Sequence, residues 1–166
     1  MTLEALGNVG ELLGGLAVVV SLLYLAFELR ANTRTARAAA AAQSQDSLAS
    51  INDLLASEAD LAKLVASAAE RGSLEGLAPE EAFRLNMLLR ANLQRFESMY
   101  FLYEAGLLEE RVWAVRRYWM AGFLKTPMVA EWWNVERDSS CFTPDFIAEL
   151  ESVVGLSLDP LGQRPA

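Results

Sequence analysis

From Leu12 to Phe27 the chain runs through sixteen residues without a charge, most of them apolar, and Arg30, Arg34 and Arg37 follow at helical spacing. This length and composition predict a membrane-crossing helix with a basic stop. At about 1.5 Å per residue the strict run covers roughly 24 Å. Extended from Val9 to Leu29 it reaches roughly 31 Å, the thickness of a bilayer's hydrocarbon core, with Glu11 and Glu28 at headgroup depth. A secretory signal peptide would carry positive charge ahead of its apolar core, whereas residues 1–11 hold Glu4 and Glu11 and neither Lys nor Arg. The competing reading is a buried helix of a soluble bundle, since the run is shorter than most spans. With arginines on the C-terminal flank alone, Met1 is expected outside and the rest of the chain in the cytoplasm.

Charge divides the chain at the same place. Residues 1–42 hold three acids and three arginines, while residues 43–166 hold nineteen acids against eleven bases and so carry the whole net charge of −8. An acidic surface repels phosphate backbones, which argues against a nucleic-acid partner. The lone Cys141 forms no internal disulfide and accords with a reducing compartment. The expected organisation is an anchor with its basic collar over 1–36, a cytoplasmic helical domain over 37–155 and a flexible tail over 156–166.

Within the span a second pattern appears. Gly7, Gly10, Gly14, Ala17 and Ser21 recur at alternating spacings of three and four, so one face of the helix is nearly smooth. Smooth faces let helix backbones approach closely in lipid, where packing drives association, and this face is the expected homo-oligomer interface. The stripe extends through Tyr24, Glu28, Ala31, Thr35, Ala38, Ala42, Gln45 and Ala49, with no Gly or Pro from Leu16 to Arg71. A long helix continuing out of the membrane as far as Ala69 is therefore expected.

Punctuation sets the remaining elements. Gly72 and Gly76 mark a loop; Pro79 with Glu80 and Glu81 behind it opens a helix to about Glu104, with Gly106 past its end. That helix is expected to bury Phe83, Met87, Leu88, Leu89, Leu93, Phe96, Tyr100 and Tyr103. A further helix from about Leu108 to Leu124 carries Val112, Trp113, Val115, Trp119 and Phe123, and a short one from Met128 to Val135 holds Trp132 and Trp133. Thr143-Pro144-Asp145 announces a last helix ending near Val154. No β alternation competes, so the fold class is all-α: an N-terminal transmembrane helix and a cytoplasmic antiparallel bundle of helices. Trp132 and Trp133 are adjacent and about 100° apart on a helix, so one of them is expected to leave the core and meet a partner or a neighbouring subunit.

Catalytic chemistry finds little material. The chain has no histidine and one cysteine, which excludes the His-dependent triads, the zinc HExxH pattern, the Glu-x-x-His di-iron motif and cysteine-rich zinc sites. There is no Gly-rich phosphate loop. Neither catalytic residues nor a metal or cofactor are expected. Glu97 and Glu104 lie two turns apart on one helix, and their expected role is structural, as partners for Arg116 or Arg117.

Two stretches carry a resemblance. Leu22-Leu23-Tyr24-Leu25-Ala26-Phe27-Glu28-Leu29-Arg30, followed by Ala31-Asn32-Thr33-Arg34-Thr35-Ala36-Arg37, and Pro127, Glu131-Trp132-Trp133 and Phe142-Thr143-Pro144-Asp145-Phe146 stand near the two ends. Together they resemble a widespread bacterial family of short single-span membrane proteins of uncharacterised function. The resemblance implies a helical protein of the inner membrane and no particular activity. The expected function is a non-enzymatic scaffold or sensor, with the bilayer, its own copies and an unidentified protein as partners. The alternative is a homo-oligomeric cation channel in which Glu28, on the face of Ser21 and Tyr24, forms an acidic ring.

Overall fold

A computed structural model of the chain describes residues 3–154, with side chains described at Asn8, Glu11 and from Leu13 onward. Among these residues there are six helices and no strand: α1 (Leu3–Ser57), α2 (Ala59–Arg71), α3 (Pro79–Glu104), α4 (Glu110–Leu124), α5 (Pro127–Glu136) and α6 (Pro144–Val154). The chain divides into two compact units, Met1–Ala39 and Ala40–Ala166. The tail expected over 156–166 lies outside the described residues.

The described part of the first unit, Leu3 to Ala39, is helix alone. Its backbone is satisfied along α1, and its hydroxyls turn back on the preceding turn: Ser21 Oγ donates to the Ala17 carbonyl at 2.8 Å, Thr33 to Leu29 at 2.8 Å and Thr35 to Ala31 at 3.1 Å. Apolar residues occur on every side of it, and one helix here is long and apolar enough to cross a membrane.

The second unit begins where α1 first acquires a buried residue, Ala40. Ala40 and Ser44 are buried and Leu48, Ile51 and Leu55 half-buried, a helical repeat that turns one side of the segment inward. The expected continuation to Ala69 fails at Glu58, whose φ of −105° and ψ of 86° end the helix. Main-chain bonding survives the break, since Glu58 N–H donates to Leu54 at 3.0 Å and the Glu58 carbonyl accepts from Ala62 at 3.0 Å. Because no Gly or Pro forces the turn, the physical reason lies in packing: a new axis lets α2 bury Leu61, Leu64 and Ala68.

Gly72 closes α2 in the left-handed conformation, φ 70°, and its N–H donates to Ala68 and Ala69. The torsion favours glycine, and a Cβ here would also lie 3.3 Å from Pro127 Cβ, a tight approach. α3 starts at Pro79 as expected, with the Glu81 carboxylate accepting from Ala78 N–H at 3.0 Å. It buries Leu85, Leu89, Leu93, Phe96 and Met99. Phe83, expected inside, is exposed, because two residues place it about 200° around the helix from Leu85. In the same way α4 turns Trp113, Arg116, Met120, Ala121 and Leu124 inward and leaves Val115 and Trp119, one turn apart, on its open side.

Aromatic rings join these helices. Tyr103 stacks on Trp113 with centroids 5.3 Å apart, and Tyr100 stands 5.9 Å from both Trp113 and Phe146. From Phe146 the path continues through Phe142 to Trp133 and Trp132. Tilted and edge-on pairs of this kind add to the area they bury.

Candidate functional site

Each large apolar side chain from Leu13 to Leu29 is between 52% and 67% exposed. Ala17, Ser21, Tyr24 and Glu28 are exposed with them, and Gly14 has nothing within 4 Å of where a Cβ would stand. The described part of the small-residue face is thus open, and its one hydroxyl is already bonded to its own backbone. The side-chain environments of Gly7 and Gly10 lie outside the described residues.

Trp132 and Trp133 do not divide between core and surface: both are buried. α5 is covered on two sides, so the 100° between them is accommodated. Trp132 Nε1 donates to Asn86 Oδ1 at 2.8 Å, and Trp133 meets Phe142 edge-on at 5.6 Å.

Several acidic residues of the second unit pair within it. Glu97 Oε1 accepts from the N–H and the hydroxyl of Thr143, at 2.8 and 2.9 Å, and so fixes the start of α6. Arg90 pairs with Glu136, with Nε and Nη2 both 2.7 Å from Glu136 Oε1 and Ser139 Oγ donating to the same atom at 3.0 Å. Arg117 pairs with Glu149 at 2.6 Å. Tyr103 donates to Glu110 at 2.5 Å, and that bond, with lesser help from burial, holds the phenol above its ordinary pKa.

Arg116 is the exception. It is 7% exposed, yet no carboxylate of the described residues lies within ion-pair reach; its Nε donates to Ser44 Oγ at 3.3 Å. Burial alone pushes its pKa below the ordinary arginine value, and a guanidinium still stays charged. The side chain lines a cavity of about 400 Å³ between α1, α3 and α4 of the second unit. Leu48, Ile51, Phe96, Trp119 and Phe123 supply apolar walls, and Gln45, Asn52 and Asn92 supply amides. Sequence reasoning missed this site because Arg116 passed for a partner of Glu97 or Glu104. Its spacing from Trp113 and Met120, three before and four after, was the available sign that the cation faces inward.

Compared with known proteins, the chain matches no family model, no curated protein and no solved structure.

Proposed function

We propose that this chain is a non-enzymatic, single-span protein of the bacterial inner membrane that self-associates through the face of Gly7, Gly10, Gly14, Ala17 and Ser21. Met1 lies outside, the second unit lies in the cytoplasm, and the assembly acts as a scaffold or sensor. The observation that carries the reading is the all-round exposure of eleven large apolar side chains between Leu13 and Leu29. Removing them from water is worth on the order of 20 kcal/mol. A partner helix would cover one side only, whereas hydrocarbon covers every side. The orientation rests on Arg30, Arg34 and Arg37 standing on one flank. Self-association rests on the smoothness and openness of the Gly14 face.

Native mass spectrometry in mild detergent tests the assembly. Gly14→Leu and Ala17→Leu are expected to lower copy number while leaving insertion intact, since added bulk separates the helices and makes the run more apolar. An unchanged mass distribution in both variants would remove this face as the interface. Compartment reporters fused to each end test the topology, and a C-terminus reporting the outside would reverse it.

A further inference from the structure

We propose that the cavity beside Arg116 binds a small monocarboxylate with an apolar tail or ring. Arg116 is 7% exposed and has no counter-charge, so it has lost much of its hydration, and an anion seated against it would offset that loss. Here the protein supplies no such anion: Ser44 occupies Nε, and neither terminal nitrogen of Arg116 has a hydrogen-bond partner among the described residues. Two parallel N–H donors at the end of a planar guanidinium match the two oxygens of a carboxylate. One positive charge balances one negative charge. A phosphate dianion would bring a second charge that the cavity has nothing to meet, in a chain already at −8.

The remaining lining fits the rest of such a molecule. Phe96 and Phe123 line it with apolar surface, Trp119 lines it while largely exposed, and Asn92 adds an amide to the lining. A volume of about 400 Å³ falls within the range of sites for small molecules. Leu48 and Ile51 belong to α1, the helix that also supplies the apolar stretch, so an occupant would touch the same continuous element. The inference goes beyond the scaffold reading: binding belongs to the second unit and self-association to the first, and calorimetry and native mass spectrometry report them apart.

The experiment is calorimetric titration of the full chain in a neutral maltoside with octanoate, octanol, octyl phosphate and octylammonium, alongside Arg116→Met and Asn92→Asp. Octanoate is expected to bind the unaltered protein one to one, and at least about tenfold more weakly in both variants, the loss of a bidentate charged contact or the addition of a repelling charge. Octyl phosphate is expected to bind more weakly than octanoate, and octanol and octylammonium no better than to the detergent alone. Arg116→Met is also expected to raise the melting temperature of the ligand-free protein, since it removes an unpaired charge, so its loss of binding is separable from unfolding. Octanoate affinity unchanged in Arg116→Met, equal binding of octylammonium, or tighter binding of octyl phosphate overturns the proposal. If Arg116→Met does not fold, Asn92→Asp decides: unchanged affinity there overturns it equally.

Discussion

Leu85 and Leu22 are the same side chain on the same kind of backbone, yet Leu85 is wholly buried and Leu22 is 61% exposed. The two regions to which they belong solve half of the folding problem alike, because an α-helix satisfies its main-chain polar groups without outside help. They differ in the other half. In the second unit apolar residues are gathered on one side of each helix, as in Leu85, Leu89, Leu93 and Phe96 of α3, and neighbouring helices cover them. From Leu13 to Leu29 they surround the axis, and no neighbouring side chain buries any of them. The same helical propensity thus yields a covered core in one region and, in the other, an apolar surface that the helix itself leaves open.

The widest separation of the two regions is by solubility. A fragment from Ala40 to Val154 is expected to stay monodisperse and helical without detergent, whereas the full chain aggregates on detergent removal; circular dichroism and light scattering show both. A full chain that remains monodisperse would mean that the apolar stretch is covered in some other way, and the contrast would collapse.

Next in size is truncation. Leu85→Ala should lower the stability of the second unit in urea by about 3 kcal/mol, through lost transfer energy and the cavity left behind. Leu22→Ala should leave that unit within about 0.5 kcal/mol of its starting value. Equal losses would show that the two regions unfold together.

A smaller effect sharpens the account of polar groups in the core. Glu136→Ala removes the acceptor shared by Arg90 and Ser139, and should cost about 2 kcal/mol by denaturant titration, within the range for hydrogen bonds to charged groups. Arg116→Met is expected to move stability in the opposite direction, since Arg116 has no carboxylate to lose. If both variants destabilise alike, the distinction between a paired and an unpaired cation is void.

The smallest effect is at the surface. Tyr103 donates to Glu110 only while its phenol is protonated, so its folded pKa is raised above the ordinary 10.0. The contribution of the bond is fully present below the unfolded value and disappears as pH rises through the folded one. Tyrosinate absorbance should therefore rise at higher pH in the unaltered protein than in Glu110→Gln, and coincident curves would dispose of the bond.

Much of this was legible before any coordinates. α3 begins at Pro79 and ends at Glu104 where proline, acids and Gly106 placed it, because those residues act through torsion, missing donors and local dipoles. The apolar span was equally legible, since hydropathy over a run needs no knowledge of neighbours. Burial of individual faces was less so. Phe83 was expected inside on hydrophobicity, but which side of an apolar helix meets a neighbour depends on the neighbour. The fate of Trp132 and Trp133 shows the same limit, for a helix covered on two sides can bury both.

By itself, then, the sequence determined the local and additive properties: the all-helical material, its glycine and proline punctuation, the uncharged stretch and the side on which the acidic charge lies. Tertiary structure alone decided the break at Glu58, where no residue compels a turn and only the burial of Leu61, Leu64 and Ala68 rewards one. It also decided that Arg116 lies inside without a carboxylate while Arg117, the next residue, pairs with Glu149. Pairing of charges is a matter of distances a few ångströms long between residues far apart in the chain. Those distances exist only once the helices have packed.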